Sequence, residues 1–443
     1  MGKRHYGLFT ATTMLVGIVI GSGIFFRSDD VLVATGGSVA RGVLVFCIAA
    51  FAIVFGGLTI NNLAQLTDKP GGMITYAEEF AGKRFAAAFG WFQIFIYFPT
   101  LAVVVSWVAG IYISMLFGLG FALVGHIFLG FAWFAICFLF NIVSARMGGG
   151  FQNFSTIVKL IPLIVIGVLG VIIGDPVHAF TYTASYVSEH ATNIGWLAAI
   201  APVSFSFAGW EISTTVSSEV RDSKKNMPRA LVAAPLIILF MYLIYFIGLS
   251  GLIGPSTVME LGDDSVYRAA TELFGAVGAR IALTFIVISV MGTVNGIILG
   301  YVRLPYAMAL KGFLPGATWF SKTKGKENMP VISGLFAVVV ALFWWIIHYF
   351  TQLHGVLGGA NISDIAIAVS YLLFAVLYFQ VFRLWRKGVV KGIRNGVIFP
   401  TLATLGSGFI LMGGLQNRQF FIYVFICLIA LVAGYVYFMR REK

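Results

Sequence analysis

Ile20-Gly21-Ser22-Gly23-Ile24-Phe25-Phe26 sets two glycines and a serine in the middle of an apolar run that is otherwise long enough to cross a bilayer. A glycine inside a helix costs about 1 kcal/mol against alanine, so this spacing predicts a helix that comes apart at mid-membrane. Unpaired backbone groups are tolerated at that depth only where they line a cavity or meet a ligand. Freed amides at the start of a half-helix attract a carboxylate, and freed carbonyls attract an ammonium. The segment therefore reads as a backbone-built site for a small zwitterion.

The rest of the chain sets this segment in a membrane. Hydrophobic residues make up 59% of the 443 and charged residues 10%, against about 45–50% and about 25% in soluble proteins. Mean hydropathy is +0.95. The apolar runs exceed the roughly 10 residues of a barrel strand, which leaves an all-α polytopic membrane protein. Twelve transmembrane helices are predicted, near residues 7–35, 39–66, 84–115, 119–144, 149–173, 195–220, 229–253, 273–309, 330–350, 358–384, 396–415 and 419–439. No small-residue cleavage site closes the first run, so it is read as a retained helix and not a signal peptide.

The net charge of +12 is an orientation signal and not a nucleic-acid one. With the N-terminus placed in the cytoplasm, 22 Lys and Arg fall in cytoplasmic segments and 5 outside, which predicts both termini cytoplasmic. Cys47, Cys137 and Cys427 all lie in apolar spans, so neither a disulfide framework nor a zinc site is expected. The six histidines show no ligand spacing. No triad, metal cluster or cofactor motif points to an enzyme, and Gly148-Gly149-Gly150 lacks the Lys-Ser/Thr of a phosphate loop.

A second interruption, Ser204-Phe205-Ser206-Phe207-Ala208-Gly209-Trp210-Glu211, falls in the sixth span, roughly 185 residues after the first. Each break opens a block of five spans, and paired interruptions of this kind point to inverted repeats with a substrate site between them. The predicted organisation is one transporter domain over 1–443, with repeat one about 7–173, repeat two about 195–384, and helices 11 and 12 about 396–439 appended.

The run from Gly7 to Phe25 strongly resembles the first span of the amino acid–polyamine–organocation superfamily. Pro70-Gly71-Gly72 with Tyr76, Phe205 to Trp210, and Glu219 through Pro228-Arg229-Ala230 match as well. Val294-Asn295-Gly296 and Arg303 narrow the resemblance to the L-type amino acid transporter branch, close to bacterial serine/threonine and neutral amino acid exchangers. The resemblance implies a LeuT-like 5+5 inverted repeat with discontinuous helices 1 and 6. It implies a sodium-independent exchanger of neutral L-amino acids in the cell membrane, working by alternating access. Proton-coupled symport and an amino-acid sensor are the alternatives. It places the substrate carboxylate on Gly21, Ser22 and Gly23. The ammonium falls to carbonyls at Val19, Ile20, Phe205 and Ala208, with Ser206 beside them and Asn295 toward the substrate side chain. Phe205 matches the aromatic that closes over the substrate. In eukaryotic relatives a cysteine between spans 3 and 4 carries a glycoprotein subunit; Met115 to Val124 contains none, so no disulfide-linked partner is expected.

Lys159 lies about ten residues into span 5, roughly 15 Å deep at 1.5 Å per residue. A charge there costs at least about 2.5–3.5 kcal/mol. Snorkelling is the plain reading. The resemblance implies instead that its ammonium stands where related transporters bind sodium, tying the first half-helix to span 8 near Ser289 and Thr293; a lysine brought towards neutrality by burial would instead carry a proton. Pro162 leaves the Val158 carbonyl without a helical donor and predicts a local irregularity. Glu211 stays open between a proton-coupling role and a structural pairing, and Asn295 between pocket lining and an interhelical hydrogen bond.

Overall fold

The computed structural model describes residues 7–21, 23–67, 69, 72–143, 145–182, 195–213, 220–323, 329–357, 361–417 and 419–442. All regular elements among them are helices. Ten are long and apolar enough to cross a membrane, and two shorter apolar ones, Leu8–Gly17 and Gly195–Ser206, stand where the first and sixth spans were expected. Leu8–Val19 has 12 residues, about 18 Å of rise against a hydrocarbon core of about 30 Å. It reaches only part of the way. The stretch Pro255–Leu310, at 56 residues, exceeds one crossing, and its backbone leaves helical geometry at Gly275.

The helices gather into two units, each built from separated parts of the chain. The first comprises Met1–Tyr76, Lys159–Ile286 and Ser370–Asn417. Its long helix Ser223–Ile253 lies against Leu160–Ile173, Val39–Ala64 and Leu8–Val19. Phe46 fixes one of these contacts, its ring 6.2 Å from Tyr242 and 5.4 Å from Phe246. Helix Phe399–Leu415 covers a further side of Val39–Ala64. Outward-facing Phe240 and Ile172 are 64% and 71% exposed. Such exposure suits side chains that meet lipid tails and not water.

The second unit comprises Ala77–Val158, Val287–Val369 and Arg418–Lys443. Phe98–Phe117 pairs with Leu123–Val143, Val331–Leu353 rests on both, and Phe420–Glu442 lies on Lys83–Phe92. Within this unit a π-helical turn, Gln93–Tyr97, interrupts the span Lys83–Phe117. Widening a helix to i→i+5 bonding frees carbonyls from their usual donors. Two of these carbonyls are taken by aromatic side chains. Tyr301 donates its hydroxyl to the Ile94 oxygen at 2.9 Å, and Trp344 its indole N–H to Phe95 at 2.6 Å. Trp91 and Trp133 likewise donate to the carbonyls of Phe313 and Met291, at 2.7 and 3.1 Å. In lipid such bonds replace the hydration these groups lack.

Cys137 and Cys427 are buried and Cys47 is half-buried, all three as free thiols.

Candidate functional site

The first break lies within the first unit. Ile20 donates its amide to the Val16 carbonyl at 2.9 Å and then turns extended (φ −65°, ψ 114°), which ends the helix. Residues Gly23 to Arg27 run in turns before the helix Ser28–Ala34. Among the described residues, the amides of Gly23 and Ile24 make no backbone hydrogen bond. They are the donors expected for a carboxylate. Ser22, the expected hydroxyl partner, lies outside the described residues.

The second break belongs to the same unit. Helix Ile200–Ser206 ends in a tight turn, with the Phe207 amide on the Ser204 carbonyl at 3.3 Å and the Ala208 amide on Phe205 at 3.0 Å. Gly209 follows at φ +100°, a conformation that disfavours any side chain. Its amide is held by the Glu211 carboxylate at 3.1 Å. Glu211 is thus a side-chain cap at the start of the next half-helix, Trp210–Ser213, where an acid also suits the helix dipole. Trp210 anchors that half-helix by donating its indole N–H to the Tyr371 hydroxyl at 3.2 Å and by an edge contact with Phe374 at 5.5 Å. The expected ammonium acceptor at Phe205 is therefore already engaged by Ala208 through one of its two lone pairs.

The two breaks touch. A Cβ built on Gly23 would lie 2.6 Å from the Ser206 Cα and 2.7 Å from its Oγ, so the backbones approach as closely as the absence of a side chain allows. Tyr242 donates its hydroxyl to the Ser206 carbonyl at 2.7 Å and fixes that residue. The Ser206 Oγ itself is buried with no hydrogen-bond partner. A buried hydroxyl left unpaired costs about 1–3 kcal/mol. Beside the open amides of Gly23 and Ile24, it forms a small polar surface that a bound carboxylate would complete.

Lys159 stands at the turn between Ala145–Val158 and Leu160–Ile173, the irregularity that Pro162 predicted. Its side chain is 1% exposed, and its ammonium donates to the Gly17 carbonyl in the last turn of the first half-helix. Snorkelling is ruled out by that burial and partner. The cation sits at the C-terminal, electronegative end of Leu8–Val19.

Several neighbours left no mark in the sequence. Arg27, fully buried, donates to the Asp30 carboxylate at 2.8 Å, and its guanidinium lies 4.8 Å from the Phe26 ring centre and 5.1 Å from that of Phe205. Phe26 and Phe205 meet edge to face at 5.5 Å. The aromatic expected to close the site is thus gripped by a cation from the first break. The one available signal was an arginine followed, after Ser28, by two acids, Asp29 and Asp30.

Val19, Ile20, Gly21, Gly23, Phe205, Ser206, Ala208 and Lys159 all fall in the first unit; Ser289, Thr293 and Asn295 belong to the second. There, Asn295 accepts from the Asn141 amide at 2.8 Å and donates to Gln152 at 3.3 Å, the pattern of an interhelical tether. Thr293 donates to the Ser289 carbonyl at 3.1 Å, and the buried Ser289 Oγ has no hydrogen-bond partner. Among the described residues, no group of His, Cys, Asp or Glu is placed to hold a metal.

Comparison with known proteins gives the family and the fold. The sequence model of the amino acid permease family matches residues 6–433. The serine/threonine exchanger SteT of Bacillus subtilis (strain 168) is 31% identical over 420 residues, covering 92% of this chain and 90% of that protein. The human large neutral amino acids transporter small subunit 2 is 27% identical, covering 88% and 78% respectively. In fold, the chain resembles the crystal structure of MhsT in complex with L-phenylalanine, with a TM-score of 0.61 at 16% identity over 92% of this chain and 98% of that one. That likeness bears out the LeuT-like arrangement with interrupted first and sixth spans. A multi-pass chain with this fold, matched over nearly its whole length, belongs to the amino acid permease family, and it is an amino acid transporter, not an enzyme.

Proposed function

We propose that the protein is a sodium-independent exchanger of neutral L-amino acids, working by alternating access in the cell membrane with both termini cytoplasmic. The observation that supports it best is the meeting of the two helix breaks at Gly23 and Ser206, with unspent donors at Gly23, Ile24 and Ser206. The carboxylate binds these groups together with Gly21 and Ser22, and the ammonium binds carbonyls at Val19, Ile20 and Ala208 and the second lone pair of Phe205. Binding spans both half-helices, so occupancy favours the state in which they close together. A substrate moves a conformational equilibrium only through such differential contacts. Slow return of the empty carrier then makes the process an exchange.

Independence from sodium rests on Lys159. Its Nζ holds the Gly17 carbonyl, and in this reading it stands as a positive charge at the end of the first half-helix. Ser289, Thr293 and Asn295 enter the reading from the resemblance; the repeat boundaries near 7–173 and 195–384, with helices 11 and 12 at 396–439, enter it from the count of apolar spans and the paired breaks. The spans need no disulfide-linked subunit. Exchange is supported by the similarity to a serine/threonine exchanger.

Counterflow in proteoliposomes tests the reading. Uptake of labelled serine, threonine or leucine should require unlabelled amino acid inside and should be unchanged when sodium is replaced by choline. Accumulation in empty vesicles under an imposed pH gradient would make the protein a proton-coupled symporter. Saturable binding without any accumulation would make it a sensor.

A further inference from the structure

A groove of about 840 Å³ opens in the first unit beside the ends of helices Val39–Ala64, Ser223–Ile253 and Phe399–Leu415. Lys224, Lys225, Arg229 and Arg394 line it, and among the described residues no Asp or Glu does. All four cations are exposed, and among the described residues none of them forms an ion pair. The Arg394 guanidinium stands 5.7 Å from the Phe399 ring centre, which holds it at the rim.

This placement is unfavourable for the fold taken alone. Lys224, Lys225 and Arg229 occupy the first two turns of Ser223–Ile253; that helix carries no acid in its first turn, and its N-cap Asp222 makes no side-chain capping bond. A helix N-terminus is electropositive and favours acids, so three cations there repel the dipole as well as one another. An anion in the groove relieves both repulsions. These segments also lie on the side where the charge bias puts the cytoplasm.

A second observation narrows the chemistry. Asn61 lines the same groove, is 3% exposed, and its Oδ1 has no hydrogen-bond partner. A phosphodiester offers this oxygen only acceptors, and a headgroup ammonium is repelled by four cations. A hydroxyl close to the phosphate satisfies it. Leu236, which is 51% exposed, continues the groove wall onto the lipid-facing side of the long helix, where an acyl chain can lie.

We infer that this groove binds the headgroup of a phosphatidylglycerol molecule from the inner leaflet, its phosphate held by Lys224, Lys225, Arg229 and Arg394 and a glycerol hydroxyl donated to Asn61. Basic pockets between cytoplasmic helix ends are a recurring way to hold acidic lipids.

Lipid binding to the purified, delipidated protein, followed by native mass spectrometry and by the unfolding midpoint in micelles, tests the assignment. The probes are phosphatidylglycerol, phosphatidylethanol (same charge, no hydroxyl), phosphatidylcholine and soluble glycerol phosphate. Phosphatidylglycerol should bind more tightly than phosphatidylethanol by about fivefold, the worth of one hydrogen bond. Phosphatidylcholine should bind weakly. K224Q/K225Q/R394Q should weaken phosphatidylglycerol binding on the order of a hundredfold, at about fivefold per cation. N61L should keep phosphatidylethanol binding and lose the preference between the two acidic lipids. Wild-type phosphatidylglycerol binding by the triple variant would overturn the assignment. So would equal competition by glycerol phosphate, which would make the ligand a soluble phosphate.

Discussion

The two interruptions solve one problem in different ways. The sixth-span break is short and capped from within: Gly209 turns the chain, Glu211 caps the next half-helix from two residues away, and Trp210 and Tyr242 pin its ends to neighbouring helices. The first-span break is longer and carries no side-chain cap of its own at Ile20 or Arg27. It is held from outside, by Lys159 on the Gly17 carbonyl, and at its far end by Arg27 over two aromatic rings. A break stabilised locally is suited to act as a fixed surface. One that depends on a distant cation is suited to move when its ligands change.

This contrast can be broken where the two meet. Gly23→Val forces a side chain into the Ser206 backbone, a strain of about 1–3 kcal/mol or more. Exchange measured by counterflow should fall on the order of 100-fold, while the protein still elutes as a monodisperse species. Unchanged exchange would mean that the close approach is not part of the working cycle.

Lys159→Ala tests the outside support. It removes a charged hydrogen bond worth about 1.5–3 kcal/mol, so exchange should drop about tenfold or more with the helical content retained. Wild-type rates would refute the role of the fixed charge.

Glu211 tests the local support and should matter less. Loss of a cap costs about 1 kcal/mol, so Glu211→Ala should reduce exchange about fivefold and lower the unfolding midpoint. Glu211→Gln keeps an oxygen for the Gly209 amide and should restore most of that loss. If the Gln variant is as impaired as the Ala one, charge and not capping is what the position supplies.

Tyr242→Phe is the mildest test. It removes one neutral hydrogen bond to the Ser206 carbonyl, about 0.5–1.5 kcal/mol, and should raise the half-saturating substrate concentration a few-fold with little change in maximal rate.

Both breaks were legible in the sequence because small and polar residues are costly at mid-membrane, and the chain does leave the helix at Ile20 and at Phe207 to Gly209. The irregularity at Lys159 was legible for a similar reason, since Pro162 removes a definite donor. The grip of Arg27 on Phe205 and the bond from Tyr242 were not legible. Those contacts join positions 178 and 36 residues apart, and tyrosine in an apolar span reads as ordinary packing. The π-helical turn at Gln93–Tyr97 was hidden for another reason: its extra residue leaves the apolar pattern unbroken, and only its recruited donors reveal it.

The placement of the native thiols has a practical consequence. Cys137 and Cys427 are buried, and Cys47 is half-buried in an apolar span. Charged, water-borne maleimides should therefore find little to react with in the unaltered protein. A cysteine installed at Ser206 would be a selective reporter, labelled from whichever aqueous side the carrier has open at that moment and shielded when cargo is aboard.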